Sequence, residues 1–321
     1  MTEQEPEGTD THHGNWYVLV MGLPRPDAPL TLAPGLTLVP LESPLSVFDL
    51  AVAGAVGFRE WAMLEPVSRL CTCEIETAKD SDVTPGYDTL NRAWLASALL
   101  VLRGFSRHLG IACSSYSWSL IAGHQKRSAR AFHEQATGEG IDAAVYRPKR
   151  DLPPFKGNVL DFHARFLVDA DARTDPVSSN DAAWLAKHFE TFNRLASKSE
   201  PFRLALEAAI DWRFAKEPRL AVGRLWSGIE ACSGSRPSSS IGSQSCVPVS
   251  RGAREAAEGQ IRGGEETLWP PKQGFHGEPL SQDQLIASMN DSNRLLSELL
   301  LLTIERGHVL GADDFDDALF G

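Results

Sequence analysis

Cysteine and histidine are the side chains in this sequence best suited to metal or nucleophilic chemistry, and their spacing excludes most of it. Cys71-Thr-Cys73 is the one close pair among five cysteines. A structural zinc needs four ligands, commonly two such pairs. With no second pair nearby, these read as two ordinary half-buried thiols. Cys113-Ser-Ser-Tyr-Ser117 lacks the G-x-S-x-G turn that raises a hydrolase nucleophile above its sheet. No P-loop and no G-x-G-x-x-G is present, so ATP and dinucleotide chemistry have no motif to rest on. His108, His124 and His133 fall in or near a basic stretch with Lys126, Arg127 and Arg130. That stretch reads first as a solvated helix start and second as a nucleic-acid contact.

The chain's bulk properties narrow the classes further. Its 321 residues have room for two ordinary domains, and 42% hydrophobic with 23% charged residues is globular composition. A net charge of −11 argues against a broad basic surface for coating nucleic acid, because phosphate binding needs clustered Lys and Arg. It leaves room for a local RNA site. Residues 1–15 are polar and acidic, unlike a secretory signal, and read as a disordered lead. The longest apolar runs, at 98–102 and 299–304, are far too short to cross a bilayer. An odd cysteine count at irregular positions suits reduced thiols, and a cytoplasmic protein is expected.

The elements that would position a site fall into two textures. Trp16 to Met21 has strand composition, and Leu36-Thr-Leu-Val-Pro-Leu41 alternates like a short strand. Helical spacing over 89–108 gives an apolar face of Leu90, Trp94, Leu95, Ala98, Leu99, Val101 and Leu102, and 111–123 reads as a strand. Residues 16–165 are therefore expected to form a mixed α/β domain. From residue 179 the pattern becomes helical. Ser179-Asn-Asp181 offers an N-cap for a helix to 199, Pro201 opens a second to about 215, and Pro218 a third to about 231. A last helix spans 281–307, with Asp283 and Arg306 suited to its dipole. The expected class is α+β, with an antiparallel helical bundle over 179–310. The acidic tail 311–321 reads as a solvated end, with a docking motif as the sharper alternative.

Residues 232–275 break this order. They are crowded with Ser, Gly, Arg and Pro, carry no helical periodicity and separate two good helices. A long loop without structure of its own is unusual inside a compact domain. The segment is either a flexible insertion or a stretch translated in the wrong frame, and in both cases is expected to be poorly ordered.

The flanks carry a resemblance. Arg219-Leu-Ala-Val-Gly-Arg-Leu-Trp-Ser-Gly-Ile-Glu-Ala231 and His276-Gly277, together with Ala205-Leu-Glu-Ala-Ala-Ile-Asp-Trp-Arg213, resemble the Apea-like group of bacterial HEPN proteins. In that group a helix ending W-S-x-I-E-A-L-F-G is later followed by L-Y-x-L-R-x-K-x-x-H-G. The resemblance covers about 190–310. It also favours the frame-shift reading. From Cys232, each codon's first two bases taken with the last base of the preceding codon allow A-L-F-G-I-E-A-E-L for 231–239. From Gln260, the last two bases of each codon with the first base of the next allow K-Y-A-E-V-K-K-L-Y-G-L-R-N-K-A for 260–274. Three successive single-base deletions would produce both frames and restore the original one at His276.

What the resemblance implies is RNA cleavage or defence against phage and other invading elements. HEPN ribonucleases use an R-x4-6-H motif, commonly assembled at a homodimer interface, with no metal and no cofactor. The His serves in acid–base chemistry and the Arg binds the scissile phosphate. His276 matches that His. Where the Arg would stand, five residues earlier, this chain has Pro271, so half of the site is missing. Glu230 occupies the acidic position of the preceding helix. It could orient the motif, or simply cap or salt-bridge within the bundle. A non-catalytic HEPN module that binds a partner is the competing expectation.

Overall fold

A computed structural model describes residues 15–46, 62–78, 87–114, 116–122, 157–159, 167–232 and 281–310. The expected lead apart from Asn15, the acidic tail, and the irregular segment apart from Cys232 lie outside these residues. The class is α+β. The chain divides into two compact units, one of 1–99, 107–162 and 173–187, the other of 100–106, 163–172 and 188–321.

The first unit holds a six-stranded antiparallel sheet. Its strands are β1 (Trp16–Met21), β2 (Leu30–Ala33), β3 (Leu36–Pro40), β4 (Cys71–Thr77), β5 (Leu109–Ser114) and β6 (Gly157–Val159), in the order β2-β3-β4-β1-β5-β6. Period-2 alternation sets the register, because a slip of one residue would turn every apolar side chain over. Val18 is thus opposite Ile75 and Cys113, and Ile75 is opposite Leu38. All four are buried. The alternate rows are mixed: Tyr17 is opposite Glu76 and Ser114, and the buried Leu19 is opposite Glu74 and Ala112. Gly22 ends β1 with φ of 76°, and a Cβ there would come within 2.5 Å of the Arg107 carbonyl oxygen. Only glycine fits both the backbone conformation and the close approach.

Helix α1 (Tyr87–Leu102) begins in the first unit and ends in the second. The four-residue helix α2 (Trp118–Ile121) is capped by Ser117, whose side chain accepts from the Ser119 amide. A strand was expected to continue through this segment. The strand ends at Ser114, and the Ser117 cap starts a helical turn where the strand was expected to run on.

Helix α3 (Ser179–Lys198) also runs across both units. Its cap is Ser178, one residue earlier than expected. Ser178 Oγ accepts from the Asp181 amide at 3.1 Å, and the Asp181 carboxylate accepts from the Ser178 amide at 3.1 Å. This reciprocal pair is a capping box with aspartate in the usual glutamate position. Arg173 closes it by donating to both Asp181 oxygens, at 2.8 and 3.1 Å.

Three further helices build the second unit: α4 (Glu200–Asp211), α5 (Pro218–Cys232) and α6 (Gln282–Arg306). Each of the three packs on the other two. Pro201 sits in the first turn of α4, where a missing amide costs nothing, and Ser199 caps it. Ser281 and Gln284 form a full capping box on α6, and Gly307 ends it in the left-handed conformation. Helical spacing of apolar residues is borne out in part: Leu220, expected to face inward from α5, is exposed, and Trp226 and Ile229 are half-buried. Phe202, Leu206 and Ile210 from α4, Ala221 and Leu225 from α5, and Met289, Leu296, Leu299 and Ile304 from α6 are all withdrawn from water. Phe192 of α3 meets Phe202 edge-on, with ring centroids 5.9 Å apart.

Candidate functional site

The residues that the HEPN resemblance selects fall on and beyond α5. Trp226-Ser-Gly-Ile-Glu-Ala231 is helical, as its periodicity requires, and Glu230 stands exposed two residues before the helix's last residue. Gly228 in the same motif faces inward. A Cβ at Gly228 would lie 2.7 Å from Leu296 of α6 and 2.8 Å from the Ala208 Cβ of α4, so the absent side chain is what lets three helices meet there. His276 and Pro271 lie outside the described residues, and so does the stretch His124–Arg130. Glu230 is therefore placed, and its relation to His276 is not.

Cys71 and Cys73 are buried more completely than expected, at 3% and 0% exposure. Loss of water pushes both thiols up to about 12. Such groups stay protonated and are poor nucleophiles and poor metal ligands. Among the described residues, no group of three or more His, Cys, Asp or Glu is disposed to hold a metal ion. No described helix is long and apolar enough to cross a membrane. His108 is buried, and its Nε2 lies 2.7 Å from Ser97 Oγ. The pair ties α1 to the start of β5 inside the first unit.

The sheet brings together a polar cluster that the residue spacing did not single out. Glu74, in the middle of β4, is 1% exposed. One carboxylate oxygen accepts from Ser117 Oγ at 2.6 Å, and the other accepts from the Trp118 amide at 2.5 Å. Trp118 in turn donates from its ring nitrogen to the Tyr17 carbonyl at 3.0 Å. Glu76, two residues along the same strand face, accepts from Asn15 at 2.8 Å and lies 3.5 Å from the Tyr17 hydroxyl. Burial pushes Glu74 up to about 7, against the pull of the Ser117 hydroxyl and the Trp118 and Ser119 amides and with some help from the charge on Glu76. Burial, then the Glu76 charge, raises the Tyr17 phenol as well. The available signal was the alternation in Cys71-Thr-Cys-Glu-Ile-Glu-Thr77, which marks a strand but puts both glutamates on its polar face. That α2 covers one of them depends on a contact 43 residues distant in sequence.

Glu74 can exchange a proton near neutral pH, yet it presents almost no surface to a substrate. Glu230 is exposed near the end of α5. Comparison of the chain with protein-family models, with curated proteins and with solved structures gives no significant match.

Proposed function

We propose that this chain is a HEPN-type protein of RNA processing or of defence against phage and other invading elements, catalytically impaired as written. The observation that supports the reading is the form of α5. The Trp226–Ala231 motif is helical, its glycine is packed against α4 and α6, and its glutamate is exposed two residues before the helix's last residue. A ribonuclease of this type needs the histidine to move a proton and an arginine to hold the phosphate. Pro271 supplies no charge, and the cations Arg262 and Lys272 do not stand at the motif's spacing. The working protein would be a cytoplasmic homodimer acting on RNA without a metal.

The test is RNA cleavage by the chain as written, by Pro271→Arg and by the double variant Pro271→Arg/His276→Ala. Cleavage should be absent in the first, gained in the second and lost again in the third. Losing one member of a cooperating catalytic pair commonly costs on the order of 10³ in rate or more. Robust cleavage by the unmodified chain that disappears with His276→Ala would refute the impairment. Absence of cleavage in all three, with RNA still bound, would favour a non-catalytic HEPN module.

A further inference from the structure

Glu74 carries a carboxylate into the interior of the first unit, and among the described residues the charged or titratable groups that face it offer no compensation. From its own strand these are Glu76 and the Cys73 thiol, and from β1 the Tyr17 phenol. Its partner on β3, Val39, is uncharged, and so are Ala112 and Ser114, which flank the cluster on β5. From α2 come only the Ser117 hydroxyl and backbone amides. An ionised carboxylate in such a place costs free energy that its hydrogen bonds from Ser117, Trp118 and Ser119 only partly offset.

The element held by those bonds has little stability of its own. A helix of four residues is far below the length at which helix formation sustains itself. Glu74 on β4 accepts from Ser117 and the Trp118 amide, and the Tyr17 carbonyl on β1 accepts from the Trp118 ring, so both strands hold it. The Trp118 side chain is fully buried as a result.

We propose that Glu74 and Ser117 form a proton-operated clamp, in which gain or loss of the Glu74 proton changes how the first turn of α2, and the Trp118 ring with it, is held on the sheet. With the carboxylate ionised, Ser117 donates to it. When a proton is taken up from water, the carboxyl can donate to Ser117 Oγ instead, the burial cost vanishes, and repulsion from Glu76 is relieved. The direction of the hydrogen bond reverses while its partners stay in place. Since burial raises Glu74 to about 7, both states are populated across the neutral range.

The sign of the stability effect follows from the raised value. The folded chain binds this proton more tightly than the unfolded chain, whose glutamates titrate near 4.5. The contribution is fully present below that value, is lost as pH rises through about 7, and is flat above it. Over that window the folding equilibrium constant should fall by up to roughly tenfold per pH unit relative to Glu74→Gln, which cannot titrate.

The local readout is the indole N–H resonance of Trp118 in the full chain. It can be assigned among eight tryptophans by Trp118→Phe and followed from about pH 5 to about pH 9. In the wild type it should titrate with a midpoint near neutrality, and in Glu74→Gln it should be flat. Ser117→Ala removes a bond that favours the carboxylate, so it should move the midpoint upward; this second variant carries the test should Glu74→Gln fail to fold. A resonance that does not titrate in the wild type, a titration that survives Glu74→Gln, or a midpoint unmoved by Ser117→Ala would each overturn the clamp.

Discussion

Gly228 of α5 and Leu296 of α6 touch where a side chain is missing: a Cβ on the glycine would stand 2.7 Å from the leucine Cδ2. The Ala208 Cβ of α4 is 2.8 Å from the same point. Leu296 is fully buried and Ala208 nearly so, which leaves neither much room to retreat. In an exposed helix, Gly→Ala is worth up to about 1 kcal/mol of stabilisation. Here the overpacking should outweigh it. Gly228→Ala is expected to lower stability by about 1–3 kcal/mol, seen as a lower denaturation midpoint at unchanged m-value. A stabilised variant would mean that α4, α5 and α6 do not meet at this glycine.

Arg173, Ser178 and Asp181 act as one unit at the start of α3. Asp181 is 3% exposed and takes four hydrogen bonds, from the Ser178 amide and hydroxyl and from two Arg173 nitrogens. Ser178→Ala should cost about 1 kcal/mol, the ordinary effect of losing an N-cap. Asp181→Ala should cost more, because it also strips Arg173 of a buried acceptor while Asp175, on the exposed side, remains. Chemical denaturation of the two variants checks the order. Equal losses would show that the cap alone matters.

Buried thiols should resist alkylation. Cys71, Cys73, Cys113 and Cys232 are all buried, and burial holds the first, second and fourth up near 12. At mildly alkaline pH, mass spectrometry after brief iodoacetamide treatment should find these four unmodified in the folded chain and modified in denaturant. Rapid modification of Cys71 or Cys73 without denaturant would contradict the packing of β4.

The source DNA tests the reading of 232–275 directly. Read in the two shifted frames, its codons should spell A-L-F-G-I-E-A-E-L across 231–239 and an L-R-x-K pattern before His276. Codons that cannot spell the first of these would end the frame-shift explanation and leave a natural insertion.

Sequence periodicity by itself determined the helices of the second unit to within a few residues, because local chemistry sets their limits. Pro201 and Pro218 lack a donor and start helices, Ser281 caps, and Gly307 accepts a left-handed backbone that stops α6. The first strand and Leu36–Pro40 were legible for a similar reason: alternation is a property of neighbours. β2 and β6, at four and three residues, are too short for a pattern to declare itself. Strand order, with β1 between β4 and β5, was not legible at all, since pairing joins residues whose separation along the chain carries no local mark. The same holds for the polar cluster. Glu74 looks in sequence like any solvated glutamate on the outer face of a strand. Only the tertiary structure, by laying Ser117 and Trp118 over it, removes its water and turns an ordinary carboxylate into one that keeps its proton near neutrality.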